Sequence, residues 1–322
     1  MQIFRHHHDL PPEARGSVCA IGNFDGVHRG HRVVLDEARA IAGPLNARRA
    51  VMTFEPHPRS FFRPDDAPFR LSPFRIRARL LEALGVDLHF VLPFDEGFSR
   101  QTAEEFITEV LVAGLGVQHV VVGYDFCFGR QRAGNADMLL QFGRTHGFGV
   151  TAVTKAADPS GLVFSSSTIR AHLQAGRPRD AASLLGRFWE IEGRVEAGDR
   201  RGRTLGYPTA NIELGEYLRP AFGVYAVRAA VDAGHGALAW HDGVANIGIR
   251  PMYESPRPLL EVHLFDFSGD LYGRHVRVQL IECLRGEAKF DTVEALISQM
   301  DRDSLAARAA LAEGHAVPIT PP

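Results

Sequence analysis

The chain has 322 residues, 45% of them hydrophobic and 23% charged, so it is long enough for two globular domains that each bury a core. Its formal net charge of −2 gives no reason to expect binding to nucleic acid or to an anionic membrane. No apolar run approaches the roughly 18 residues of a membrane-spanning helix, and the three scattered cysteines argue against a disulfide framework or a zinc site, so we expect a cytoplasmic protein.

The first half of the chain alternates short apolar runs with helical patterns. Strands are predicted at residues 18–21, 50–54, 89–92, 119–122 and 150–153. Helices are predicted at residues 31–42, 75–84, about 102–114, 136–145 and 168–174. In the first helix, the expected buried face consists of Val33, Val34, Ala38 and Ile41. Because continuous β-branched strands are typical of a parallel sheet buried on both faces, this half is predicted to be a doubly wound α/β domain.

The second half, from about Phe188, has a different pattern with glycine-rich connections. Strands are predicted at residues 190–196, 223–231, 259–267 and 275–281, and one long helix at 292–311. This pattern predicts a compact antiparallel β-barrel followed by a C-terminal helix. We place the boundary after a turn at residues 175–180, which gives predicted domains 1–184 and 185–322.

Lysine is nearly absent, and this restricts how the protein can bind phosphate. Lys155 and Lys289 are the only two, and neither lies in a Gly-x-x-x-x-Gly-Lys-Ser/Thr motif, so a P-loop is excluded. Any phosphate site must therefore use arginine, histidine, backbone amides and a metal ion.

A glycine-rich stretch, GNFDGVHRGH at residues 22–31, follows the first predicted strand. In open α/β sheets ligands bind beyond the carboxyl ends of the strands, where glycines let phosphate oxygens approach backbone amides. His28 and His31 are three residues apart, so they share one face of the first helical turn, and Gly30 keeps a side chain out of the way. The stretch alone is equally explained by a turn with two surface histidines.

Two distant segments support the phosphate interpretation. The segment TFEPHP at residues 53–58 follows the second predicted strand and is expected at the same edge of the sheet. The segment SSSTIR at residues 165–170 places hydroxyl groups at a helix start and Arg170 in its first turn, which favours anion binding.

These segments, with HRGH at 28–31 and GYDFCFG at 123–129, resemble the FAD synthetase (FMN adenylyltransferase) half of bacterial bifunctional riboflavin kinase/FAD synthetases. The resemblance implies transfer of AMP from ATP to the phosphate of FMN, with His28 and His31 contacting the triphosphate. It implies further ATP contacts from Gly22, Asn23, Asp25, Gly30, Ser166 and Arg170, and a flavin site formed by Phe54, His57, Pro58, Asp125, Phe126 and Phe128. Core packing is the alternative for the aromatic residues. Ser167 and Cys127 depart from the family pattern, which usually has Thr and often Arg there.

In the second half, the string RTLGYPTAN at residues 203–211 is the most specific. Pro208 fixes the local φ angle, and Thr209 and Asn211 point to the same side if the chain is extended. Their hydroxyl and amide oxygens suit a Mg²⁺ ion that takes its other ligands from phosphates and water. An Asx turn after the proline is the alternative.

Four later strings, GVYAV, GVANIG, EVHLFDF and LRGE, complete a resemblance to the riboflavin kinase barrel along nearly its full length. The resemblance implies that Glu261 takes the proton of the riboflavin 5′-hydroxyl, that Thr209 and Asn211 hold the metal, and that residues 198–206, with Gly206, cover the nucleotide. Met252 departs from the pattern, which commonly has Thr. Apolar neighbours of Glu261 are expected to desolvate its carboxylate and raise its basicity. A rim residue is the alternative, since a glutamate on such a strand is more often that than a catalyst.

The leading hypothesis is therefore a cytoplasmic enzyme with two ATP-dependent activities, riboflavin to FMN and FMN to FAD. Its expected ligands are Mg²⁺, ATP, riboflavin and FMN, with no nucleic acid, membrane or obligate protein partner. One alternative is a chain in which one module only binds flavin, and another is a regulatory flavin sensor. The intact set of phosphate-handling residues argues against both.

Overall fold

The structure, a computed structural model, describes residues 1–157, 161, 163–196, 207–232, 238–249 and 257–313. These residues group into two units. The first unit comprises Met1–Ala67 and Phe74–Phe164, and the second comprises Pro68–Pro73 and the described residues from Ser165 onwards. The units divide upstream of the domain boundary at residue 184, which stays a prediction.

A six-stranded sheet in which every pairing is parallel forms the centre of the first unit. Its strands are β1 (Gln2–Phe4), β2 (Val18–Ile21), β3 (Arg49–Glu55), β4 (Leu88–Pro93), β5 (His119–Gly123) and β6 (Gly149–Val153). The spatial order is β1-β4-β3-β2-β5-β6, so the chain moves outward from β2 in one direction and then in the other. This arrangement confirms the doubly wound parallel sheet.

Helices cover both faces of this sheet. They are α1 (Arg29–Ala42), α2 (Pro58–Phe62), α3 (Phe74–Ala83), α4 (Glu96–Arg100), α5 (Ala103–Glu105) and α6 (Ala136–His146). Helix α5 begins with a capping box between Thr102 and Glu105 and continues as a π-helix, Phe106–Leu115. Alternate residues of β2 enter separate cores: Cys19 and Ile21 belong to one, Val18 and Ala20 to the other.

The predicted buried face of α1 is partly wrong. Val34 and Ala38 are buried as expected, but Val33 is 42% exposed and Leu35 takes its place in the core. Because a helix turns about 100° per residue, positions 33 and 35 point in nearly opposite directions and cannot both face the sheet.

An antiparallel six-stranded sheet curls into a nearly closed barrel in the second unit. Its strands are β7 (Trp189–Arg194), β8 (Ala210–Glu213), β9 (Gly223–Asp232), β10 (Leu238–Ile249), β11 (Pro258–Leu264) and β12 (His275–Gly286), in the order β7-β12-β9-β10-β11-β8. The two edges meet where the Glu196 amide donates to the Asn211 carbonyl oxygen at 2.9 Å.

Three helices, α7 (Ser166–Gln174), α8 (Pro178–Leu185) and α9 (Val293–Ala312), belong to the second unit. Helix α9 packs Ala307, Ala310 and Leu311 into a core with Ala226 and Ile281, so the predicted barrel with a terminal helix is confirmed. The turn predicted before the domain boundary is wrong in part, because α8 begins there, with Pro178 at its first position. No described helix combines the length and apolarity needed to cross a membrane.

The segment Pro68–Pro73 lies between α2 and α3 in sequence but packs within the second unit. Arg70 forms a parallel bridge with Tyr217, and its carbonyl oxygen accepts the Leu218 amide at 2.9 Å. The buried Leu71 offers its carbonyl oxygen to the Trp189 indole N–H at 2.8 Å. The second unit is therefore assembled from two separate stretches of the sequence.

Candidate functional sites

The residues predicted to contact ATP follow β2, next to the point where the strand order reverses between β2 and β5. Ligands of open α/β sheets bind in the crevice at such a point. The loop that leaves β2 is held to the neighbouring strand because the Gly22 amide donates to the Met52 carbonyl oxygen at 3.1 Å. In this loop Asn23 is exposed and Asp25 is buried.

His28 and His31 form a reciprocal cap at the start of α1. The amide of His31 donates to Nδ1 of His28 at 3.3 Å, and the amide of His28 donates to Nδ1 of His31 at 3.4 Å. Their rings stack with centroids 3.7 Å apart. Because each Nδ1 accepts a hydrogen bond, each neutral ring carries its proton on Nε2, which makes both rings donors suited to phosphate oxygens. The N-terminus of α1 adds the favourable end of the helix dipole.

The backbone of the same loop is strained. Phe24 and Val27 have positive φ angles of 48° and 41°, and for the β-branched Val27 this is a rare conformation. Both side chains are almost fully buried, so packing holds the strain in place. Gly30 fits tightly as well, since a Cβ atom there would lie 3.1 Å from the His28 ring and from Cβ of Phe164.

The residues predicted for the flavin side also lie at the carboxyl edge of the sheet. His57 caps α2 by accepting the Arg59 amide on Nδ1 at 3.0 Å, and Pro58 is the first residue of that helix. Phe54 is buried at the end of β3, Asp125 is exposed beyond β5, and Phe126 stacks on Phe128 with centroids 5.5 Å apart. The buried positions of Phe54 and Phe128 agree with core packing as well as with a flavin site.

Sequence reasoning missed the aromatic residues that connect Phe54 to Phe128. Phe98 lies 5.6 Å from Phe54 and 6.1 Å from Phe106, and Phe106 lies 5.2 Å from Phe128, measured between ring centroids. Three further phenylalanines pack around this series, namely Phe61, Phe62 and Phe94. The density of phenylalanine at residues 54–62 and 94–98 was the available signal.

A buried arginine that was not predicted contacts the loop after β2 and the end of β3. The Arg77 side chain in α3 is inaccessible to solvent, forms an ion pair with Glu55, and donates to the Asn23 carbonyl oxygen at 3.5 Å. Nearby, Nε2 of His89 lies 2.9 Å from the Thr53 hydroxyl. Burial, followed by the charge of Arg77, lowers the pKa of His89 to about 3, so this imidazole is neutral at pH 7.

The serine-rich segment begins α7, which belongs to the second unit. Ser165 caps the helix by accepting the Thr168 amide at 3.1 Å, and Ser166 is the first helical residue. Nε of Arg170 donates to the Phe69 carbonyl oxygen at 2.9 Å, and the guanidinium lies over the Phe69 ring. Contacts of Ser166 and Arg170 with a triphosphate stay predictions.

The residues predicted for phosphoryl transfer meet across strands of the barrel. Glu261 on β11 pairs in register with Asn211 on β8 and with Asn246 on β10, so the three side chains lie on one face. Asn211 is buried, and its Oδ1 has no hydrogen-bond partner among the residues that the structure describes. A buried oxygen of this kind fits a Mg²⁺ ligand, and its place in β8 disfavours the Asx-turn alternative. Thr209 lies two residues earlier, half-buried.

One argument for Glu261 is wrong. Its neighbours Leu260 and Val262 are buried on the opposite face of β11, so they do not surround the carboxylate. Gly206, the segment 198–206 and Met252 lie outside the described residues. Within the described ranges, no group of three or more His, Cys, Asp or Glu could hold a metal ion.

Comparison with known proteins divides the chain as the motifs do. A family model described as FAD synthetase matches residues 10–168, and one described as riboflavin kinase matches residues 185–311. A bifunctional riboflavin kinase/FMN adenylyltransferase from Pseudomonas fluorescens is 44% identical over 310 residues, covering 96% of this chain and 97% of the relative. The chain belongs to this bifunctional family. The corresponding protein of Escherichia coli K12 is 42% identical over 309 residues, covering 96% of this chain and 97% of its own length.

A solved structure has a similar fold. A protein from Streptococcus pneumoniae described as a macrolide-efflux protein has a TM-score of 0.83 and 29% identity, covering 95% of this chain and 98% of that one. The family match places His28, His31 and Ser166 within the FAD synthetase model, whereas Asn211 and Glu261 fall within the riboflavin kinase model. The resemblance predicted from the motifs is thus confirmed.

Proposed function

We propose that this chain phosphorylates riboflavin to FMN with ATP and adenylylates FMN to FAD with release of pyrophosphate, at two separate sites. The observation that carries the proposal is the presence of two different constellations for phosphate chemistry in one chain. One is the reciprocally capped pair His28–His31 after a parallel strand. The other is Asn211 in register with Glu261 on the barrel.

In the adenylyl-transfer site, the phosphate of FMN attacks the α-phosphorus of ATP and pyrophosphate leaves. No covalent enzyme intermediate is needed, so the protein acts by positioning and by stabilising charge on the transferred group and on the departing pyrophosphate. The Nε2–H groups of His28 and His31 donate to the triphosphate, and the loop with Gly22, Asn23 and Asp25 approaches the nucleotide. Ser166 and Arg170 assist with phosphate binding.

The flavin site of this half is formed by the residues at the ends of β3 and β5. Phe54, His57 and Pro58 contribute from the first, and Asp125, Phe126 and Phe128 from the second. The apolar aromatic series behind them matches a flavin ring, which is large, flat and mostly apolar on its faces.

In the kinase site, Glu261 accepts the proton of the riboflavin 5′-hydroxyl as its oxygen attacks the γ-phosphorus and ADP leaves. Thr209 and Asn211 would hold Mg²⁺ through their oxygen atoms, and Gly206 would contribute to the nucleotide cover. When bound, the ion neutralises charge on the phosphates, a role that no P-loop lysine can take in this chain. The buried Oδ1 of Asn211, which has no hydrogen-bond partner within the described part of the chain, supports this ligand assignment.

Incubation with riboflavin and MgATP, followed by chromatography of the flavins, tests the proposal. FMN together with FAD is the expected result. A single product would mean that one module only binds flavin, and unchanged riboflavin would favour a flavin sensor. We also propose that the protein is cytoplasmic and that it needs neither a protein partner nor a nucleic acid.

A further inference from the structure

Residues 207–211, which we call the metal loop, are held by a histidine that no proposed step of the reaction uses. His263 lies on β11 two residues beyond Glu261, so both side chains lie on the same face of the strand. Its Nδ1 is 2.9 Å from the carbonyl oxygen of Pro208. A carbonyl oxygen can only accept, so Nδ1 of His263 carries the hydrogen and donates it.

The His263 imidazole has a second contact with the metal loop. The Tyr207 ring packs on His263 with centroids 5.0 Å apart, and the Tyr207 hydroxyl donates to Asp301 on α9. The metal loop is therefore connected to both the base-carrying strand β11 and the terminal helix.

The two predicted metal ligands depend on these contacts to different degrees. Asn211 lies inside β8, whose register with β11 fixes its backbone. Thr209 lies before β8 begins at Ala210, so ladder bonds do not hold it. The Pro208 carbonyl that accepts from His263 belongs to the peptide group joining Pro208 to Thr209, and its position sets the position of Thr209.

We propose that His263 is a positioning residue of the kinase site, whose Nδ1–H bond to Pro208 keeps Thr209 in place beside Asn211 and Glu261. The inference rests on the proposed assignment of Mg²⁺ to Thr209 and Asn211. It adds a residue that touches neither substrate nor metal in the proposed mechanism and acts through the backbone of the metal loop.

Two isosteric substitutions separate this role from a general structural one. The side-chain amide of asparagine reaches about as far as Nδ1 of histidine, whereas that of glutamine reaches about as far as Nε2. We expect His263→Asn to keep kinase activity near wild type. We expect His263→Gln to raise the Mg²⁺ concentration for half-maximal riboflavin phosphorylation by about 10–100-fold, as for other groups that orient metal ligands.

The measurement is the Mg²⁺ dependence of FMN formation by the full chain at fixed ATP. FAD formation from supplied FMN at saturating Mg²⁺ reports the activity of the first unit in the same preparations, and the thermal unfolding midpoint of each variant reports whether the barrel is folded. Equal behaviour of the Asn and Gln variants, whether both active or both impaired, would overturn the inference.

Asn211→Ala, measured in parallel, distinguishes failure of the inference from failure of the metal assignment. If Asn211→Ala loses kinase activity while His263→Gln retains the wild-type Mg²⁺ dependence, the inference alone is wrong. If Asn211→Ala leaves the Mg²⁺ dependence unchanged, the metal assignment is wrong and the inference is wrong with it.

Discussion

We predict that Gly30→Ala, a small change beside the proposed triphosphate site, slows FAD formation. The added Cβ would lie 3.1 Å from Cε1 and Nδ1 of His28 and 3.1 Å from Cβ of Phe164. Contacts this short are relieved only if a neighbour moves by a few tenths of an ångström. The neighbour that we expect to shift is the His28 ring, whose capping bond to the His31 amide is 3.3 Å long.

The expected loss of activity follows from this displacement. Misplacing a catalytic group by about 1 Å costs about 10²-fold in rate, so a shift of 0.3–0.5 Å corresponds to about 4–10-fold slower FAD formation. Stability changes little, because alanine is up to about 1 kcal/mol better than glycine in a helix and offsets part of the contact strain. The activity effect should therefore dominate.

The assay follows FAD formation from supplied FMN and FMN formation from riboflavin in the same preparation, the second serving as an internal control. Gly43→Ala is the matched variant, since Gly43 caps the other end of α1 with a helical φ of −57° and an added Cβ would approach only the Arg39 carbonyl oxygen at 3.8 Å. If Gly30→Ala makes FAD as fast as Gly43→Ala, the assignment of His28 to the triphosphate is refuted.

The two chemistries should also separate by mutation. Replacing His28 and His31 together by alanine should nearly abolish FAD formation and spare FMN formation, since one such donor is worth about 10²–10³ in rate. Glu261→Gln should do the reverse, with a loss of about 10²–10⁴ in FMN formation; loss of both activities in either folded variant contradicts the division of labour. EDTA should stop both reactions and added Mg²⁺ restore them, and a kinase rate that survives chelation would exclude the metal assignment. His89, neutral when folded with a pKa of about 3, binds a proton more readily in the unfolded chain, so stability should fall as the pH drops from about 6.5 towards 3. Thermal midpoints of His89→Gln should depend less on pH over that range, and an unchanged dependence would argue against a buried neutral imidazole.

Much of the fold was predictable because the strands of the first unit carry an unambiguous signal. A strand buried on both faces must be apolar throughout, and β2 is. Strand β10 was not predicted, because His241, Asp242 and Asn246 interrupt its apolar residues and Gly243 and Gly248 lower its β propensity, so only its pairing with β9 and β11 identifies it. The missed helix α8 begins with Pro178, a residue that ends helices in their interior but is well tolerated at their first position.

The candidate sites were predictable where chemistry and local spacing coincide, as for His28 and His31. The role of Arg77 was not predictable, because an arginine in an amphipathic helix is normally exposed to solvent. Only the folded sheet places Glu55 and the Asn23 carbonyl oxygen beside its guanidinium. The apolar surroundings expected for the Glu261 carboxylate were predicted wrongly, because adjacent residues in a strand point to opposite faces of the sheet. His263 acts through a contact 55 residues away in sequence, which no local pattern indicates.

The packing of Pro68–Pro73 in the second unit has a consequence for synthesis on the ribosome. The Leu71 carbonyl oxygen accepts from the Trp189 indole, and Trp189 is synthesised 118 residues after Leu71. At about 5–20 residues per second, that interval lasts about 6–24 s. During this time the nascent chain can complete most of its first unit, but the Leu71 carbonyl cannot accept from the indole until the first strand of the barrel has been made. If the two domains were expressed as separate chains, the barrel strands would be on one chain and the segment Pro68–Pro73, which packs in the same unit, on the other. The barrel fragment would then lack this segment.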